Sequence, residues 1–236
     1  MTYQAGRRFY KETATTLVGS AYEVALDGRS IRTPSGTTLS LPTEALAKAI
    51  AMEWAAQTDT IDPTTMPITQ LACTALDRVI PNRAAVVADT MAYGQNDLLC
   101  YRAAEPPELV QKQADAWQPI LDWLSTDVDV TLLVTTGIMH VVQDDDAMAV
   151  LTRTVAAFDD FQLTAVVRMT QVFGSLALAI AVTRMHIRWA EAVDLAILDE
   201  VYQAERWGED REAMERRRNM RAEAEQASRL LDLCAV

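Results

Sequence analysis

The spacing of apolar positions changes once along this chain, and the change predicts two textures of structure. Between residues 10 and 41, short runs of alternating character are separated by turn residues. Tyr22, Val24 and Leu26 alternate with Glu23 and Ala25, the period of two expected of a half-buried strand. Asp27-Gly28 follows directly. A glycine that tolerates positive φ makes this pair a strong hairpin signal, so Gly28 is assigned a structural role. Ile31 belongs to the return strand, and Pro34 to Gly36 supply the next turn. From residue 43 the period becomes helical. Leu46, Ile50 and Trp54 recur four apart, with Ala47 and Ala51 beside them. Thr43 is placed as the N-cap and Glu44 as a first-turn acid. Asp62-Pro63 ends this part of the pattern.

The remainder reads as mostly helical. Pro67 opens one helix, which is expected to stop before Pro81. Residues 83–94 form another, with a break near Gly94. Leu109, Gln113, Trp117, Ile120 and Leu124 share a face of the next, where Pro119 predicts a kink or a new start. Residues 128–143 are rich in β-branched side chains, which favours a strand, but their role is left open. Helices resume near Asp146, with breaks at Asp159, Gly174 and Gly208. The fold class is therefore α+β. A small antiparallel sheet carrying one helix is assigned to residues 1–75, and a larger, mostly helical domain to residues 76–236.

Composition narrows the functions this fold can serve. The formal net charge is -12, with only three lysines (Lys11, Lys48, Lys112) among 21 basic residues. A phosphate backbone selects a basic surface, so nucleic acid is an unfavourable partner. The strongest uncharged apolar stretch, residues 169–183, spans roughly 22 Å as a helix against a ~30 Å hydrocarbon layer. It is read as a buried helix, with no stable membrane insertion. Cys73, Cys100 and Cys234 are odd in number and far apart, which gives neither a disulfide framework nor a metal-spaced pair.

No catalytic motif stands out. His140 and His186 lack partners at zinc-ligand spacing. Ser175 follows Gly174 at the start of an apolar helix, where close helix packing around the glycine is the simpler reading. Asp144, Asp145 and Asp146 lack the alternating ligands and glycine turn of a calcium loop and suit a helix N-terminus instead. Arg216, Arg217, Arg218 and Arg221 are interleaved with acids, and Glu212 is placed to pair with Arg216. No metal and no cofactor is implied.

One acid breaks the pattern. On a single helical wheel, Val193, Ala196, Ile197, Val201, Ala204 and Trp207 fall on one arc, and Glu200 lies within it. An acid in an apolar stripe must be paired or left open to solvent. Three readings follow: a pair with Arg168, Arg184 or Arg188; an exposed binding surface centred on Glu200; or a general acid with raised pKa. Tyr202 and Trp207 are core anchors or interface residues.

Several stretches, in order, resemble the ATP12 family of ATP synthase F1 assembly chaperones. They are "RRFYKE" at 7–12, "VALDGRSIRTP" at 24–34, "LPTEALAKAIAMEWAAQ" at 41–57 and "IDPTTMPITQLACTALDRV" at 61–79. "DLLCYRA" at 97–103, "WQPILDW" at 117–123 and "LDEVYQAERWGEDREA" at 198–213 follow. The resemblance implies a chaperone rather than an enzyme, without nucleotide or metal. It implies binding of the free α subunit of F1, shielding the surface that β later covers. The family's "EW" falls on Glu53 and Trp54, its "LDE" on Leu198, Asp199 and Glu200, and its "WG" on Trp207 and Gly208. Glu200, Tyr202, Trp207, Asp199 and Glu53 are the candidate client-binding residues; Trp54, Gly28, Gly174 and Gly208 are the structural ones. The chain lacks the basic targeting extension of eukaryotic members, so a bacterial cytoplasmic protein, monomeric when free, is expected. An acid-pair hydrolase or lyase, or a permanent structural subunit of a complex, is the alternative.

Overall fold

A computed structural model describes residues 6–137 and 139–235. The chain packs as two compact units. The first comprises Met1–Arg83, Asp160–Ala165 and Arg229–Val236, and the second Ala84–Asp159 and Val166–Ser228.

In the first unit, β1 (Gly6–Arg7), β2 (Thr13–Val18), β3 (Ala21–Leu26), β4 (Arg29–Ser30) and β5 (Ser40–Leu41) precede α1 (Glu44–Ala55), β6 (Thr60–Ile61) and α2 (Pro67–Thr74). β3 is the central strand. It pairs antiparallel with β2, Thr13 opposite Leu26 and Val18 opposite Ala21. Its other edge is shared by β4 at Ala25–Leu26 and β5 at Tyr22–Glu23. β1 and β6 form a separate antiparallel pair. The predicted hairpin is present: Asp27 (φ 48°) and Gly28 (φ 79°) are both left-handed, as a two-residue turn of matching twist requires. The Asp27 carboxylate accepts the N–H groups of Glu12 (2.9 Å) and Lys11 (3.0 Å), and these donors hold it below the usual carboxylate range. The alternation read along β3 fails at its end, where Val24, Ala25 and Leu26 are all buried. Successive residues point to opposite faces, so both faces are covered there.

α1 starts where expected: Thr43 Oγ1 accepts the Leu46 N–H at 3.1 Å. Leu46, Ala47, Ile50, Ala51 and Trp54 are buried against the sheet side of the unit. Trp54 is 2% exposed, and Tyr10 donates to its carbonyl at 2.6 Å. The helix from Pro67 does not stop before Pro81. It widens into a π turn at Ala75–Val79 and tightens into a 3-10 turn at Ile80–Asn82. Changing the ladder in this way carries the chain through a residue that has no N–H to give.

The second unit is helical. α3 (Arg83–Gln95) leads into it, followed by β7 (Tyr101–Arg102), α4 (Pro107–Asp127), β8 (Thr135–Thr136), α5 (Asp145–Ala157), α6 (Asp160–Phe173, its residues to Ala165 counted in the first unit), α7 (Leu176–Thr183), α8 (Trp189–Ala196), α9 (Leu198–Trp207) and α10 (Arg211–Cys234, its residues from Arg229 counted in the first unit). α7 is its buried centre: every residue from Leu176 to Val182 is buried, and it packs on α4 and α8. α4 passes through Pro119 unbroken, with that proline on the exposed side. α3 ends at Gln95, so the break expected near Gly94 is present. The breaks expected at Asp159, Gly174 and Gly208 are present. Gly174 needs correction in its reason, however. Nothing lies within 4 Å of the place its Cβ would occupy, and its φ of 66° is what requires glycine. The close packing is at Gly94, where a Cβ would meet Leu151 Cδ2 at 2.8 Å. In residues 128–143 the only paired strand among the described residues is β8, which lies parallel to β7. Ile138, within that segment, lies outside the described residues.

Candidate functional site

α9 is laced to α4 and α10 by polar side chains. On the α4 side, Gln113 donates to Asp199 (2.7 Å), Lys112 reaches Glu205 (3.4 Å) and Glu108 reaches Arg206 (3.4 Å). Tyr202 sits between them, 6% exposed, with the Arg206 guanidinium 4.4 Å and the Lys112 ammonium 5.8 Å from its ring centre. Such contacts orient the helix more than they stabilise it, because exposed pairs contribute only about 0–1 kcal/mol each. On the α10 side Glu200 pairs with Arg216, Glu209 with Arg217, and Asp194 of α8 with Arg221.

These partners correct the sequence reading of Glu200. Arg168 instead pairs with Glu223 at 3.0 Å, Arg184 donates to the Asp127 carbonyl, and Arg216 reaches across to α9. A single wheel through residues 193–207 misdirects because the helix breaks at Ile197 (φ -102°, ψ 12°). The apolar arc is not uniformly buried either. Val193 and Ile197 are buried, Ala196, Val201 and Ala204 half-buried, and Trp207 is 77% exposed. Glu200 stands where the arc opens to solvent, its side chain 36% exposed. Glu200 and Trp207 are seven residues apart on α9, two turns along one face and about 10 Å of rise. Gly208 ends the helix at φ 93° and ψ 159°, a conformation essentially confined to glycine.

The other candidates divide by what holds them. Glu53 is committed within the first unit: its carboxylate accepts the N–H groups of Ile68 and Thr69 (2.8 Å each) and the Thr69 hydroxyl (2.6 Å). It thereby caps α2, which has no side-chain cap of its own. Burial pushes its pKa up, against the pull of those donors. Asp199 is engaged by Gln113 and Tyr202 is covered, so both support α9 from beneath, whereas Glu200 and Trp207 face outward.

A buried acid went unmarked in the sequence reading. Asp97 is fully buried and accepts from Ser175 Oγ (2.7 Å), the Ala177 N–H (2.9 Å) and the Leu99 N–H (3.1 Å). Desolvation pushes its carboxyl above the usual range despite these donors. Its signal was available: an acid directly before the apolar "LLC", with Ser175 before "LALAIAV". Ser175 caps α7, accepting the Leu178 N–H at 3.1 Å, so its hydroxyl is structural. Asp144 caps α5 as expected. His140 bonds to the Tyr101 hydroxyl (3.1 Å) and His186 stacks on Trp123. Burial pushes the Cys100 thiol up to about 12, far from thiolate reactivity at neutral pH. Among the described residues no group of His, Cys, Asp and Glu is arranged to hold a metal ion, and no helix is long and apolar enough to cross a membrane.

Comparison with known proteins places this architecture. The ATP12 chaperone protein family matches residues 7–125. The crystal structure of Atp12 from Paracoccus denitrificans is 41% identical, with a TM-score of 0.94 over 97% of this chain and 98% of that one. The chain belongs to the ATP12 chaperone family. An aspartate-to-lysine mutant of the Paracoccus protein matches equally well, at 40% identity and a TM-score of 0.94 over the same shares of both chains. The mitochondrial atp12 protein of Schizosaccharomyces pombe is 25% identical over 226 residues, 89% of this chain and 76% of that protein. ATP12 membership makes the chain a chaperone of ATP synthase assembly, built on the α+β fold described above.

Proposed function

We propose that this ATP12 chaperone binds the free α subunit of F1 through the outward face of α9 and masks the surface that β later covers. The observation that carries the reading is the pairing, on one helix face, of a solvent-facing acid with a bare indole. Tryptophan is enriched where binding energy concentrates in protein interfaces. Trp207 supplies apolar contact. Glu200 supplies register by meeting a basic group of the client, which replaces Arg216 at its carboxylate. Because the Glu200–Arg216 pair is exposed, the exchange costs little. Asp199, Tyr202 and the contacts to α4 hold the helix in place. The protein acts where α is made and leaves before the finished enzyme forms, as a monomer with one client.

Purified α subunit, titrated with wild type, Glu200→Ala and Glu200→Lys, tests the site. Both substitutions weaken binding and suppression of α aggregation, the reversal to lysine more strongly because it adds repulsion. Unchanged binding and unchanged suppression by both variants would remove Glu200 from the contact.

A further inference from the structure

The longest uncharged surface segment of the second unit is outside α9. Residues 130–143 contain no Asp, Glu, Lys or Arg in a chain of net charge -12. The segment is closed into a loop by Gln143, a glutamine only 2% exposed. Its Oε1 accepts the Leu133 N–H at 2.7 Å and its Nε2 donates to the Leu133 carbonyl at 3.0 Å. One side chain thus reproduces the two bonds that a neighbouring strand would make. Further bonds fix both limbs. β8 pairs with β7, the Gly137 N–H donates to the Arg102 carbonyl at 2.8 Å, and His140 Nδ1 meets the Tyr101 hydroxyl. Val130 and Leu132 turn inward and are buried. The apolar side chains above the clamp do not: Leu133 and Val134 are nearly half exposed, Val142 is 71% exposed and Met139 is 74% exposed.

Holding Leu133, Val134, Met139 and Val142 out of the core gains these four side chains no further burial in the isolated chain. It does benefit association, because limbs already tied by hydrogen bonds lose less conformational freedom on docking. The charges that flank the segment along the chain indicate what docks. Asp127 and Asp129 precede it and Asp144, Asp145 and Asp146 follow it, all exposed and all acidic. An anionic bilayer surface attracts basic flanks and is repelled by acidic ones. A protein surface with an apolar centre and a basic rim fits both features.

We infer that the described limbs, residues 133–136 and 139–142, form a second client-docking element, receiving an apolar patch of the F1 subunit whose border is basic. The inference rests on the chaperone reading of α9 but uses none of its residues. Val134, Met139 and Val142 enter the client interface, and the five aspartates steer the approach.

The test compares α-subunit affinity for wild type, Met139→Ser/Val142→Ser, Asp144→Asn/Asp145→Asn/Asp146→Asn and Glu200→Lys, each checked by circular dichroism and Tm. Full burial of two such side chains predicts at least a tenfold loss of affinity in the serine pair, with Tm unchanged because both residues are exposed in the free protein. The asparagine variant should lose association rate and salt dependence. Its Asp144→Asn change keeps a competent cap, and the Met139→Ser/Val142→Ser pair stands as an independent arm if that triple variant folds poorly. Wild-type affinity in the serine pair overturns the loop proposal. If Glu200→Lys alone weakens binding, only the loop is refuted; if the serine pair alone does, only the α9 reading is. Loss of α binding by neither refutes both. Binding of wild type to vesicles of phosphatidylethanolamine and phosphatidylglycerol, lost in the serine pair, would overturn the protein-partner assignment.

Discussion

Replacing Asp97 with alanine is the sharpest test of how the helical unit is held together. The side chain joins the turn before β7 to the start of α7, the unit's buried centre. It satisfies two backbone N–H groups, at 3.1 Å (Leu99) and 2.9 Å (Ala177), and the Ser175 hydroxyl at 2.7 Å. Alanine leaves both N–H groups buried without an acceptor, at roughly 1–3 kcal/mol each. Relief from burying a carboxylate returns part of that. A net loss of about 3 kcal/mol follows, which at about 2–4 °C per kcal/mol for a chain of this size lowers Tm by roughly 6–12 °C. Asp97→Asn keeps one oxygen but turns an amide donor toward the donors around it, and loses roughly 1–2 kcal/mol. The two variants also separate by pH. The folded-state pKa of Asp97 is raised above the unfolded value of about 3.9, so the folded chain holds the proton more tightly. The stability linked to that proton is fully present below about pH 4 and is lost as pH rises through the folded pKa. Asparagine has no such titration, so the margin of wild type over Asp97→Asn narrows as pH rises. Thermal melts of the three proteins across pH 4 to 8 provide the measurement. An alanine variant melting within about 2 °C of wild type, or a margin over asparagine that widens with pH, refutes the reasoning.

Three further outcomes are expected. Glu53→Ala strands the Ile68 and Thr69 N–H groups and lowers stability by roughly 2 kcal/mol in denaturant melts, while α-subunit affinity stays at the wild-type value when both proteins are folded. Trp207→Ala does the reverse: Tm moves by no more than about 1 °C because the indole is already exposed, and affinity for α falls at least tenfold in titration calorimetry. Gly208→Ala forces a non-glycine residue to φ 93° and ψ 159°, costs about 1–3 kcal/mol, and loosens the end of α9, which hydrogen exchange at Ala204 to Trp207 reads directly.

Much of the fold was legible because it depends on local chemistry. Asp27-Gly28, Thr43, Asp144 and Gly208 each act within a few residues of themselves, and each turn, cap or stop lies where the sequence put it. Failures came where a distant partner decides. Ser175 is oriented by Asp97, 78 residues away, and Arg216 turns from Glu212 on its own helix to Glu200 on another. The wheel through 193–207 identified the unusual acid but assigned it too much burial, because a periodic pattern carries no sign of a break at Ile197 without a glycine or proline to mark it. Residues 128–143 were opaque for a related reason. Their β-branched content favours strands, but a glutamine side chain takes the place of the neighbouring strand. Glu53 and Trp54 illustrate the limit of a pairwise motif: both are held by contacts inside the first unit, while Trp207, adjacent to a glycine in another motif, stands in solvent.

The central claim is that the client is free α subunit, held until β replaces the chaperone. Affinity capture of the tagged protein from cells assembling ATP synthase, with β depleted and then restored, tests it most directly. The account predicts that α is captured when β is scarce, that restoring β releases it, and that the tagged protein is absent from finished ATP synthase. Capture without α, or α retained together with β in the mature complex, would contradict it.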